Sequence, residues 1–192
     1  MRLFAVLALL TLAAPASAED AQPRPASKAD FLKMCEIAPC RRNVDFSLKK
    51  ADGTYFTFKV PLAPPVVEPG FISVYPGETL NFEADENPDS TLTLRLVPTV
   101  AHPEKTITMK LVQEPKIGDG TGMIFTINNP FDRDIRYHLG IMSLNDERVL
   151  ATSACPIMRK IMGVEHWPYP LFRVLVARVG FMKPDESRTC SN

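Results

Sequence analysis

From Val44 onward, apolar and polar residues alternate in short runs set apart by turn-forming residues. VDFSLKK (44–50) and TYFTFKV (54–60) show the alternation, and Asp52-Gly53 between them suits a tight hairpin turn. A stiff segment, PLAPPVVEPG, leads to FISVY (71–75), a Pro76-Gly77 turn and TLNFEA (79–84). TLTLRLV (91–97) and KTITMKLV (105–112) alternate again around PTVAHPE, whose two prolines exclude a strand interior. GMIFTIN (122–128) and IRYHLGIM (135–142) make the next pair, joined by NPFDRD. LFRVLVARVGF (171–181) is almost continuously apolar, as a strand buried on both faces at its centre would be.

About eight short strands at fairly regular spacing predict an all-β fold. The natural form is an antiparallel immunoglobulin-like or cupredoxin-like β-sandwich, because each half-apolar sheet must cover its face with another. A small closed barrel fits the same pattern nearly as well. Ahead of the strands, a short N-terminal helix is expected from Lys28 to about Cys35. Ser27 would be its N-cap, and Pro39 bars its continuation.

The first residues read as a targeting segment. Arg2 precedes an apolar run from Leu3 to Ala14, and Ala16-Ser17-Ala18 offers small residues for a signal peptidase. That run is too short to span a bilayer comfortably, and no stop-transfer segment follows. Residues 1–18 are therefore expected to be a signal peptide, 19–28 a disordered polar leader, and 29–192 one β-sandwich domain. The expected location is a bacterial periplasm or the medium, with no transmembrane segment in the mature chain.

Charge narrows the partners. The chain has 22 basic and 22 acidic residues; removing the leader takes away only Arg2, so 21 remain against 22 and the net charge is −1. Neither nucleic acid nor an anionic membrane is an expected target of so balanced a chain. Four cysteines, Cys35, Cys40, Cys155 and Cys190, entering an oxidising compartment read as two disulfides. Three pairings are possible; proximity favours Cys35–Cys40, which leaves Cys155–Cys190.

No catalytic constellation is expected. There is no G-x-S-x-G elbow, and His102, His138 and His166 lie in separate segments without a partner pattern. His138 reads as a half-buried strand residue, and GDGTG (118–122) as a turn rather than a phosphate loop. EADENPD (83–89) gathers four carboxylates that suggest calcium, but without EF-hand spacing the plainer reading is a solvated acidic loop. The most distinctive stretch is CPIMRKIMGVEHWPYP (155–170). On a helix, Met158 and Met162 would share a side with His166 about one turn further, a soft donor set suited to Cu(I), with Met142 as a further donor. Gly163 and Pro168 leave little room for such a helix, so the competing expectation is a lid in which Met158, Ile161, Met162 and Trp167 cover one end of the sandwich.

CEIAPCRR, VYPGETLNFEAD, NNPFDRDIRYHLGIM and TSACPIM followed by EHWPYPLFRVLV together resemble an uncharacterised family of exported proteobacterial β-sandwich proteins. The resemblance implies secretion and a shared fold, and no mechanism. The function expected is that of a non-enzymatic exported protein binding a protein or envelope component, with a strand-edge partner as the simplest physical mode. The alternative is a periplasmic copper-binding protein using Met158, Met162 and His166.

Overall fold

The computed structural model describes residues 28–116 and 119–190. The expected signal peptide, the leader up to Ser27 and the start of the GDGTG turn lie outside the described residues.

Two five-stranded antiparallel sheets pack face to face as a sandwich. One sheet has the order β10 (Leu150–Thr152), β9 (Ile135–Ser143), β12 (Leu171–Phe181), β4 (Phe71–Val74), β3 (Val67–Glu68). The other has the order β11 (Met162–Trp167), β8 (Met123–Asn128), β7 (Thr106–Gln113), β5 (Thr79–Glu86), β6 (Leu92–Val97). A long hairpin of β1 (Cys40–Lys49) and β2 (Tyr55–Pro65) stands apart from both. The period-two pattern works as expected between the sheets. Phe82, Ile107, Met109, Leu111, Phe125 and Ile127 of the second sheet face Val74, Ile135, Tyr137, Val174 and Val176 of the first, all buried.

Twelve strands form among the described residues, where about eight were expected. The additions are short or unusual in composition. The expected TYFTFKV strand extends as β2 through Pro61, Pro64 and Pro65, and the added β3 has two residues between prolines. Both lie at sheet margins, where a missing N–H costs little. β10 has three residues. β11 replaces the helix or lid expected after Met158, and it shapes the site described below.

The helix α1 (Lys28–Ile37) ends where Ala38 N–H donates to Met34 O (3.0 Å) just before Pro39. The Cys35–Cys40 disulfide then ties its last turn to the first residue of β1. Between β4 and β5, Tyr75-Pro76-Gly77-Glu78 makes a tight turn with Gly77 at φ +85° and Glu78 N–H donating to Tyr75 O (3.1 Å). Only a residue without a Cβ adopts that φ cheaply.

The hairpin is anchored by an aromatic group and a buried guanidinium. Phe46 and Phe58 pack with Tyr75 and Phe172, with ring centroids 5.0 Å apart for Phe58–Phe172 and 5.3 Å for Phe46–Phe58. Arg41, 8% exposed, donates to Glu78 (2.6 and 3.0 Å) and to the carbonyls of Pro64 (2.9 Å), Pro65 (2.8 Å) and Ser73. Its guanidinium also lies 4.6 Å over the Tyr75 ring. Nearby, Glu68 pairs with Arg173 at 3.1 Å, and burial still pushes its carboxyl above the usual range against the pull of Arg173 and Arg41.

Candidate functional site

The stretch 155–170 lies along one flank of the sandwich and switches between its sheets. Residues 150–152 pair with β9 at the edge of the first sheet, and a bridge from Ile157 to Ile135 continues that line with a shift in register. A turn from Met158 to Ile161 follows, with Lys160 at φ +59°. The chain then enters β11 at the edge of the second sheet, in the register Met162↔Asn128 to Trp167↔Met123. Asn129, 2% exposed, fixes the crossing: its side-chain N–H groups donate to the carbonyls of Arg133 (2.8 Å), Ile157 (3.0 Å) and Met158 (3.1 Å). Within the NNPFDRD run this asparagine is a clamp.

The direction of the free backbone groups on β11 follows from one hydrogen bond. Asn129 N–H donates to Ile161 O at 2.8 Å, so these directly opposed residues form a hydrogen-bonded pair. Antiparallel pairs alternate, so Gly163, Glu165 and Trp167 also turn their backbone groups toward β8. Met162, Val164 and His166 turn theirs away from it, toward the edge that no strand pairs among the described residues. Their side chains are exposed as well, with Met162 at 57% and Val164 at 55%. Met158 (51%) and Ile161 (44%) continue the apolar strip into the turn. On the inward side, Glu165 accepts a hydrogen bond from Tyr137 Oη (3.0 Å), and Trp167 is 6% exposed. Burial, and then the facing carboxylate of Glu165, push the Tyr137 phenol well above its usual range.

The proposed donor set is not brought together. On a strand, Met162 and His166 stand about 13 Å apart along the backbone with Val164 between them, whereas one helical turn would have set them about 6 Å apart. A single ion needs its donors within about 2.0–2.3 Å. Met142 belongs to β9 in the opposite sheet, and Met158 precedes the strand in the turn. The lid expectation is corrected too: Trp167 is buried, but Met158, Ile161 and Met162 are exposed. Methionine fills the core elsewhere, with Met109 and Met123 at 0% exposed, so the two methionines of this stretch are the exception.

Other sequence candidates disperse. His138 is exposed on β9, and His102 lies 3.6 Å from Glu104 in the loop before β7. The acidic run has no common centre: Glu83 pairs with Arg95 and Lys105, Glu86 with Arg133, and Asp89 caps Thr91. Among the described residues no group of three or more His, Cys, Asp or Glu side chains is placed to hold a metal ion. Both disulfides expected from proximity form, Cys35–Cys40 and Cys155–Cys190. No described helix is long and apolar enough to cross a membrane. Comparison with family models, with curated proteins and with solved structures returns no match for this chain.

Proposed function

We propose that this chain is an exported, non-catalytic binding module that captures an extended segment of a partner polypeptide by pairing it to the edge of β11. The observation that carries the reading is the row of outward backbone groups on Met162, Val164 and His166, flanked by the exposed side chains of Met158, Ile161, Met162 and Val164. An added strand would satisfy those groups, and alternate side chains would give specificity. The other sheet margins are less inviting. β3 and β10 have two and three residues. The line continuing β10 shifts register and carries the Cys155–Cys190 bond. β6 bears the Arg95–Glu83 ion pair, and the residue before it bridges to Gly180 of β12. β11 has neither lysine nor proline, the usual guards of an exposed edge.

Two disulfides suit an oxidising compartment, and the apolar N-terminal run supports export to a periplasm, where the partner would be an envelope protein. The test is site-directed photocrosslinking in producing cells, with the probe at Met162, at Lys110 in the middle of the same sheet, or at Leu96 on β6. The reading expects one discrete adduct from Met162 alone, lost in Val164→Pro, which removes an outward N–H and leaves the pairing with β8. Equal adducts from all three positions, or an adduct indifferent to Val164→Pro, would refute it.

A further inference from the structure

A second feature lies at the end of the sandwich where the chain tail returns. A cleft of about 510 Å³ opens between the β8–β9 connection, the turn carrying Arg159 and the tail from Met182 to Arg188. Its volume falls within the range of small-ligand sites. All three walls are fixed. Asn129 clamps the first to the second, Arg159 N–H donates to Asp134 Oδ1 (3.0 Å), and Met182 N–H donates to Asp134 O (3.0 Å). The Cys155–Cys190 bond holds the end of the tail.

The charges around this cleft are unequally committed. Asp134 accepts from Arg188 Nε (2.8 Å), and Glu186 pairs with Arg136 (2.9 Å) and accepts from Lys183 N–H (3.1 Å). Asp132 pairs with Lys160 (3.3 Å). Arg133 is occupied by Glu86 (2.8 Å) and stacks 3.9 Å over the Phe181 ring. Each carboxylate lining the cleft thus already has a cation. Arg159 and Lys183 line the same cleft, and among the described residues neither side chain forms an ion pair with a carboxylate.

We propose that this cleft binds a phosphate monoester or pyrophosphate group between Arg159 and Lys183. Two uncommitted positive charges match a dianion. The planar guanidinium can take two of its oxygens at once, and the ammonium acts as a point charge beside it. The prearranged walls spare the ligand the cost of ordering them. The site borders the turn that leads into β11, but its proposed contacts do not use the backbone edge of that strand.

Calorimetric titration of the purified protein with pyrophosphate tests the assignment. The expected result is binding that weakens about tenfold or more in Arg159→Gln, which removes a bidentate contact, and about tenfold in Lys183→Gln, which removes a single charge-assisted one. Lys59→Gln, on exposed β2, should leave it unchanged. No heat at millimolar pyrophosphate, or equal affinity in the double variant and the unaltered protein, would overturn it. Vesicles of phosphatidylcholine with and without phosphatidic acid supply the second arm. Phosphatidic-acid-dependent binding lost in the double variant assigns the phosphate to a lipid headgroup; pyrophosphate binding alone assigns it to a soluble ligand, and either result upholds the phosphate site.

Discussion

Tyr137 of β9 donates a 3.0 Å hydrogen bond to Glu165 of β11, so the core of one sheet holds the edge strand of the other from within. Tyr137 is 1% exposed, and its hydroxyl has little room to find water instead. Tyr137→Phe should therefore cost about 1–3 kcal/mol in urea unfolding, because the facing carboxylate loses its donor while still partly buried. Glu165→Gln, which keeps an acceptor, should cost less. Equal losses for both would show that the packing of the ring, and not the hydrogen bond, is what matters here.

Arg41 does for the β1–β2 hairpin what Tyr137 does for β11. Its side chain is 6% exposed and joins three backbone carbonyls from two segments to Glu78. Removing one partner of a buried pair leaves the other charged and unsatisfied, so Arg41→Met should cost about 3–5 kcal/mol. The double variant Arg41→Met, Glu78→Met should recover part of that loss. Additive losses in a double-mutant cycle would contradict the pairing.

The Cys155–Cys190 bond closes a loop with a sequence separation of 35 residues. Loop-closure entropy for that length corresponds to about 4 kcal/mol of stability. Replacing both cysteines by serine should lower the unfolding midpoint and speed amide exchange from Met182 to Arg188 first. Unchanged exchange in that tail would mean that the ion pairs of Arg136 and Arg188 hold it unaided.

Acid should act late on one turn. Hydrogen bonds from the Arg148 side chain hold the Asp146 carboxyl down at about 2, from an ordinary value of 3.8. A depressed carboxylate contributes stability that is present above its unfolded value and is lost as pH falls through the folded one. The Asp146–Arg148 turn should thus stay intact at pH 4 and loosen toward pH 2. An NMR titration should place the midpoint near 2, and Arg148→Ala should move it back toward 3.8. A midpoint at 3.8 in the unaltered protein would show that the turn does not persist in solution.

Much of this molecule could be read from residue order alone, and the failures have physical causes. Strict alternation located β5, β7, β8 and β9, because their inward residues meet an opposing sheet and nothing else competes. The cysteines were paired correctly by proximity alone. β11 was missed because Met158, Met162 and His166 suggested a helical face, although MGVEHW also alternates: Met162, Val164 and His166 face out while Gly163, Glu165 and Trp167 face in. Gly163 marks a close approach rather than a helix end, since a Cβ there would come within 2.7 Å of the Ile157 side chain. Arg41 gave no signal in the sequence, because its partners come from residues 23 to 37 positions away. The cleft around Arg159 and Lys183 is likewise assembled by tertiary contacts and has no local motif.

The claim that β11 is a docking edge is tested most directly by residue-resolved amide exchange, measured free and in the complex trapped at Met162. In the free protein, Gly163, Glu165 and Trp167 should exchange slowly and Met162, Val164 and His166 quickly, the alternation set by the Ile161–Asn129 bond. On capture, Met162, Val164 and His166 should become slow while β6 stays as it was. If those three amides are already protected in the free protein, or remain fast in the complex, the partner does not pair with this strand.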